Sequence, residues 1–290
     1  MQATEVDVKP SVYEMSFRNL PVTIIKPSKG WMPINLHELW EFKDLLYFFT
    51  WRDIKLRYKQ TVLGFAWAII QPFFAMLIFT LFFGSLAKLP SDGVPYPIFA
   101  YAALLPWTMF SESIARSTST MVMNSNIIKK VYFPRMALPI SSVLSPIVDF
   151  AIAFVILILM MAYFGVMPTI NVIWMPAFLL LAIVTSLGVG LWTSALNARY
   201  RDIQYVVPFV IQIWMFASPV VYASSMIPVQ YQFLYGLNPM AGVIEGFRWS
   251  LLSTNAPGMI IIASVVVSLA LLVSGAFYFR RMEKTFADEV

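Results

Sequence analysis

The stretch Phe150–Ala198, FAIAFVILILMMAYFGVMPTINVIWMPAFLLLAIVTSLGVGLWTSALNA, runs for 49 residues without one charged side chain. About 20 helical residues cross a hydrocarbon layer of roughly 30 Å. The run therefore holds two crossings joined by a short turn. Four more uncharged runs lie around it: Thr61–Ala87 with 27 residues, Gly93–Ser111 with 19, Ile203–Ile244 with 42 and Trp249–Phe279 with 31. Strands of a membrane barrel are only about 10 residues long and alternate in polarity, which these runs do not. The whole chain is 59% hydrophobic and 12% charged over 290 residues, where soluble domains carry about 25% charge. The expected fold is an all-α integral membrane protein with spans near 62–86, 97–121, 138–164, 172–196, 205–223 and 257–279.

Orientation follows from lysine and arginine, which collect on the cytoplasmic side of short loops. Lys129, Lys130 and Arg135 form one cluster, Arg199 and Arg201 a second, and Arg280, Arg281 and Lys284 a third. The intervening turns hold only Lys88 in one place and no basic residue between Gly165 and Trp174. Alternation places both termini inside, in a bacterial inner (plasma) membrane. An even number of crossings must separate Arg201 from Arg281, and two spans already supply it. The stretch Ser224–Ala256, interrupted by Pro228, Gly236, Pro239, Gly242 and Gly246, must then dip in and return as a re-entrant hairpin. Irregular backbone at that depth survives only when buried in protein or lining a cavity. Glu245 and Arg248 stand in it at i and i+3, a spacing that lets them neutralise each other.

Four segments result: a cytoplasmic tail over 1–35, an interface helix over 36–60, the six-span domain over 61–279 and a second tail over 280–290. The first tail mixes Glu5, Asp7, Lys9, Glu14, Arg18, Lys26 and Lys29 with Pro10, Pro21, Pro27 and Pro33 and offers no apolar leader core. In the interface helix, at 100° per residue, Glu41, Asp44, Arg52, Lys55 and Lys59 share one arc while Leu39, Phe42, Leu46 and Phe49 lie opposite. This reads as an amphipathic helix on the membrane surface, or alternatively as a solvated helix packed on another protein. Phe48 on the polar arc and Asp53 and Arg57 on the apolar one break the pattern, so a bend near Trp51 is expected.

Catalytic chemistry is poorly provided for. The chain has no cysteine and one histidine, His37, which beside Glu38 reads as a surface residue. No phosphate-loop, H-E-x-x-H or G-x-S-x-G motif occurs, so the energy for any transport comes from a gradient or another polypeptide. No basic stripe with interleaved aromatics suggests nucleic acid, despite a net charge of +5. Acids at membrane depth are costly and hence functional suspects. Glu112 stands four residues before Arg116, and Asp149 lies within the third span. They form either a proton or cation relay or a structural ion pair, and the second is favoured because two acids make a poor relay. Trp107, Trp174, Trp192, Trp214, Tyr222, Tyr231, Tyr235 and Trp249 cluster near span ends, as interfacial belts do, although flat aromatics also stack on sugar rings. Two inside loops look built for docking: Asn124–Pro139, NSNIIKKVYFPRMALP, a helix-length piece ended by prolines, and NARYRDI at 197–203.

The run WRDIKLRYKQTVLGFAWAIIQP at 51–72, with NARYRDI and the Asn238–Pro239 step, resembles the membrane subunit of ABC-2-type polysaccharide exporters, the family of O-antigen, capsule and teichoic-acid permeases. The resemblance covers nearly the whole chain. It implies a homodimer working with two copies of a separate ATP-binding subunit, which holds ATP and Mg while this chain binds no cofactor or metal. It implies a lipid-linked glycan as cargo, exported from the bilayer. Residues 39–60 become the gate or interface helix, with Trp40, Trp51, Arg52, Lys55, Arg57 and Lys59. Ile127, Ile128, Lys129, Lys130 and Arg135 become the principal coupling helix, supported by Arg199, Arg201 and Asp202. Ser224–Ala256, preceded by Tyr222, becomes the periplasmic gate, with Tyr231, Tyr235, Asn238, Glu245 and Arg248. The rivals are a proton-coupled transporter needing Asp149 or Glu112, a membrane glycosyltransferase, and an ABC-2 exporter of a drug or small lipid.

Overall fold

A computed structural model describes residues 36–59, 64–283 and 286. The tail over 1–35, Gln60 and Lys284 lie outside the described residues. Among those described the chain is helical, with no strand. Two helices come first, α1 (Leu36–Glu41) and α2 (Lys43–Tyr58), followed by α3 (Ala66–Phe79), which continues as a π-helix over Thr80–Leu86. Then come α4 (Tyr96–Met123), α5 (Ser125–Lys130), α6 (Ala137–Leu144), α7 (Pro146–Phe164) and α8 (Met175–Arg199). The chain ends with α9 (Ile203–Ala217), α10 (Val229–Tyr235), α11 (Pro239–Leu252) and α12 (Gly258–Met282).

Among the described residues five helices are long and apolar enough to cross a membrane: Ala66–Leu86, Tyr96–Met123, Ala137–Phe164, Ile170–Arg199 and Gly258–Met282. The span expected over 205–223 differs. Its helix stops at Ala217 after 15 residues, about 22 Å at 1.5 Å per residue, because Ser218 and Pro219 leave the helix and the chain turns back toward α4. The 49-residue run breaks where expected. Gly165 takes a left-handed φ of 68°, its N–H bonds Ala162 O, and Val166 N–H bonds Met161 O at 2.9 Å. That pair of bonds is a Schellman cap, which only a residue tolerant of positive φ accepts readily.

The interface helix needs two corrections. It runs unbroken through Trp51, and its break falls at Phe42, between α1 and α2. Its apolar arc faces protein rather than lipid: Phe49 is buried against Phe133, with ring centres 5.5 Å apart, and Leu39, Phe42, Leu45 and Leu46 pack on the same cluster. Trp40, Tyr47, Phe48 and Trp51 are the exposed face. The coupling segment is also not one helix. α5 ends at Lys130, Val131 is extended, and Pro139 sits inside the first turn of α6 rather than ending a helix, a position where proline lacks no needed N–H.

Helix α4 is the centre, packed by α3, α6, α7, α8 and α11, and α8 is paired along its length with α12. The α8–α12 approach is set by two glycines. A Cβ on Gly188 would lie 2.6 Å from Leu272 N, and one on Gly275 2.5 Å from Gly188 O. Both obstacles are backbone and cannot swing aside, and small residues at such contacts are how helices in lipid come close. Gly188→Val is therefore expected to separate the two helices and destabilise the protein by about 2 kcal/mol. An unchanged melting temperature in detergent would contradict this packing.

Candidate functional site

Phe178 and Ala182 near the start of α8 share a cluster with the first part of α4, and Leu191, Ala195 and Ala198 near its end share one with Met121, so these helices run parallel and their C-terminal ends emerge on one side. That side carries Ile128, Phe133, Phe49, Ala198, Phe279 and Phe286 in one apolar cluster. It thus gathers the interface helix, the coupling segment and the NARYRDI turn. In the coupling segment Lys129, Lys130, Val131 and Tyr132 are exposed while Ile128, Phe133 and Pro134 are buried and Ile127 is half-buried. A cleft of about 340 Å³ opens among Ile128, Lys129, Lys130, Val131, Tyr132, Phe133 and Arg135. Arg199, Arg201 and Asp202 are exposed on the neighbouring turn, which buried Asn197 closes by accepting the Gln204 N–H at 3.0 Å. Arg135 differs from the two lysines, because its guanidinium donates to the Glu283 carbonyl. Tyr132 is exposed as a residue, yet partial desolvation of its hydroxyl, and then its hydrogen bond to Glu38, push the phenol above its ordinary pKa.

One turn deeper, α2 lays its charged residues onto the spans. Arg57 Nη1 lies 2.5 Å from Asp149 Oδ2 on α7 and 3.4 Å from Glu112 Oε2 on α4, and Arg116 Nε donates to the same Glu112 oxygen at 3.1 Å. The Arg57–Asp149 contact is an ion pair without well-angled hydrogen-bond geometry. Tyr58 donates to Asp149 Oδ1, and burial together with that bond raises its pKa. Arg52 bonds Asp53 at 2.8 Å and Asn124 at 3.0 Å. Arg57, one of the two residues that broke the apolar arc, thus faces the protein because its partners are there, whereas Asp53, the other, is bonded to its neighbour Arg52. Glu112, Arg116 and Asp149 are brought together, and the group includes Arg57 and Tyr58, which the sequence reading had placed elsewhere or left out. Lys55 and Lys59 stay exposed, as do Trp40 and Trp51, with Lys55 Nζ 5.4 Å from the Trp51 ring centre. A cleft of about 420 Å³ separates α2 from α4, lined by Arg52, Arg57, Arg116, Ser119, Thr120 and Ser142 among others.

At the opposite end the centre is Arg248 on α11, which is fully buried. It donates to Phe99 O at 3.3 Å, Tyr222 O at 3.3 Å, Val220 O at 2.9 Å and Glu245 Oε1 at 3.1 Å. Its guanidinium carbon also lies 3.4 Å from the Phe99 ring centre. Tyr222 and Tyr235 share a hydroxyl bond of 2.8 Å. Asn238 caps α11 by accepting the Met240 N–H, accepts Trp214 Nε1–H at 2.9 Å, and donates to Ser218 Oγ at 2.9 Å. Tyr231 is exposed and apart from this group. The remaining members meet as one knot that fastens the end of α9 to α4 and α11. Among the described residues no group of acids or histidines stands close enough to hold a metal ion.

Residues 44–252 match the family described as ABC-2 type transporter. This chain belongs to that family. An O-antigen export system permease protein, RfbA, from Myxococcus xanthus is 27% identical over 259 residues, 88% of this chain and 98% of that protein. RfbA from Klebsiella pneumoniae is 27% identical over 246 residues, covering 84% and 94%. The polysialic acid transport protein KpsM of Escherichia coli is 25% identical over 236 residues, covering 76% and 89%. The chain is thus a multi-pass membrane component of an ABC transporter, and the Arg57–Asp149–Glu112 group and the knot around Arg248 both fall within the matched region.

In this ABC-2 chain, sequence reasoning missed Glu38, Arg280 and Glu283 as a group, since their partners lie up to 242 positions away. Only the excess of charge at the very end of α12 hinted at them. The Arg57–Asp149 pair generates a direct test. Arg57→Met leaves Asp149 buried with only Tyr58, which is expected to cost about 2 kcal/mol. Adding Asp149→Asn should cost less than the sum of the single changes by about 1 kcal/mol. Strict additivity in thermal unfolding would show that the pair carries no coupling.

Proposed function

We propose that the chain is the membrane-spanning subunit of an ABC transporter that exports a lipid-linked polysaccharide across the inner membrane, energised by a separate ATP-binding subunit. The observation that carries this reading is the ABC-2 match over residues 44–252, joined to relatives named for O-antigen and polysialic acid export that align over nearly their whole length. The absence of any phosphate-loop motif in the sequence agrees with nucleotide, and its Mg, being held by the partner.

In this proposal the short α9 is the fifth crossing and α12 the sixth, with 218–252 folding back as the outer gate and both termini inside. Two features support the hairpin: α11 is almost entirely buried among α4, α8 and α12, and its irregular lead-in is tied down by Arg248 and Asn238. Irregular backbone at membrane depth demands such burial. A homodimer is supported by the apolar outer face of α9, where Val206, Phe209, Val210, Ile213 and Phe216 are exposed. Two copies meeting there would enclose a path too wide for either alone. Closure of two ATP-binding subunits then pushes Ile127–Arg135, with Arg199, Arg201 and Asp202 as the second contact, and the interface helix shifts with them. A nucleotide-driven two-state element is what this mechanism requires. The membership in an ABC family disfavours the proton-coupled rival, and the relatives' names disfavour a drug or small-lipid cargo.

Lys129 and Lys130 are the exposed cations of the coupling segment, so Lys129→Ala with Lys130→Ala is the cleanest probe. Surface polysaccharide is expected to fall by about tenfold, with the permease still inserted at its normal level. Unchanged export would discard the docking assignment.

A further inference from the structure

Five side chains from three distant parts of the chain close on one another at the inner end. Glu38 on α1 accepts from Arg280 Nη2 at 3.2 Å and from the Tyr132 hydroxyl at 3.1 Å. Arg280, in the last turn of α12, donates through Nη1 to Glu283 Oε2 at 2.5 Å. Glu283 Oε1 accepts the Arg135 backbone N–H at 3.2 Å, and the Arg135 guanidinium donates to the Glu283 carbonyl. The side chains of Glu38, Arg280 and Glu283 are only 17%, 13% and 14% exposed. Charged hydrogen bonds shielded from water to this degree are stronger than surface pairs. Beneath them a second, apolar layer joins the same parts, with Phe49, Phe133, Phe279 and Phe286 in one buried cluster.

We propose that Glu38, Arg280, Glu283 and Arg135 form a clamp that carries displacement of the coupling segment simultaneously to the interface helix and to the last span. This deepens the ABC-2 permease reading above and rests on it. The physical reason lies in the segment itself. α5 has only six residues and is followed by extended chain at Val131, so a push on Lys129 and Lys130 would bend the segment rather than move a span unless its far side were anchored. Tyr132 and Arg135 anchor it, one to α1 and the other to the residue following α12. The four are positioning residues: each acts through the elements it holds together, and the two helices so joined are 242 positions apart in the chain.

The chain contains no cysteine, so Glu38→Cys with Arg280→Cys introduces the only two thiols in the permease of the complete complex with its ATP-binding subunit. With the thiols reduced, polysaccharide exported per ATP hydrolysed is expected to fall roughly fivefold or more, while subunit assembly and ATP hydrolysis persist. Joining the thiols with a short bis-thiosulfonate reagent should restore the ratio, and reductant should abolish it again. An undiminished ratio in the reduced pair, or a ratio that bridging leaves low, overturns the clamp. Should the double variant fail to assemble, the exchange Glu38→Arg with Arg280→Glu decides. A ratio above that of Arg280→Glu alone supports the clamp, and an equal one overturns it. Wild-type complex that hydrolyses ATP without exporting polysaccharide would instead overturn the permease reading, and the clamp with it.

Discussion

A charge inside an apolar medium persists only if every one of its polar atoms finds a partner, since an isolated buried ion costs far more than a fold can supply. Arg248 meets that condition with all three nitrogens, spending three backbone carbonyls and Glu245 on them. Those carbonyls belong to α4 and to the loop after α9, which otherwise has no regular structure to satisfy it. The arginine is thus the reason a non-helical stretch is stable beside the central helix. It also explains why α9 can stop short: the chain that leaves it is held by a charge rather than by a longer helix.

The two ends of the molecule are built differently. The knot around Arg248 uses one fully buried cation paired with Glu245 and three backbone carbonyls, along with hydroxyl and amide contacts such as Tyr222–Tyr235 and Asn238–Ser218. The inner end uses interleaved pairs, Arg57 with Asp149 and Glu112, Arg116 with Glu112, and Arg280 with Glu38 and Glu283, each partly reached by water. A wholly desolvated guanidinium has no alternative partner on the way to another conformation, so the barrier to moving it is high. A pair with some access to water has a replacement partner on the way to another conformation, so moving it costs less than moving Arg248, although more than breaking a pair on the open surface. On the proposed reading of a permease driven from the inside, the more adjustable bonds lie where force would enter and the stiffer ones at the proposed outer gate.

Much of this was legible in the sequence, for identifiable reasons. Charge-free runs longer than the hydrocarbon thickness gave the five long spans, because no soluble fold tolerates them, and the i and i+3 spacing announced the Glu245–Arg248 pair. The docking face of α2 was not legible. Helical periodicity separates polar from apolar arcs, yet it does not say whether the apolar arc meets lipid or protein, and here Phe49 meets Phe133. Nor does periodicity reveal pairing across the fold: Arg57 looked misplaced on an apolar arc until Asp149, 92 positions later in the chain, came to lie beside it. The break at Phe42 left no glycine or proline as a marker, and Pro139 suggested an ending where α6 was only beginning.

The basic residues of the inner end show why counting positive charge gives orientation but not roles. Arginine presents a planar fork of donors and is weakly hydrated, whereas lysine is a compact and strongly hydrated point charge. The molecule divides its cations along that line. Arg52, Arg57, Arg116, Arg135 and Arg280 are each bonded to an acid, amide or carbonyl of the chain, while Lys43, Lys55, Lys59, Lys129 and Lys130 are exposed. Topological bias treats the two alike. Structurally the arginines join helices to one another, and the lysines are left at the surface for what approaches from outside, whether an anionic headgroup or a partner subunit. Exposed Arg281 departs from this division, and so do Arg199 and Arg201. The latter two are exposed on a turn whose shape is already fixed by Asn197, so the bracing that arginine provides elsewhere is supplied there by an amide, which leaves the two guanidinium groups facing outward.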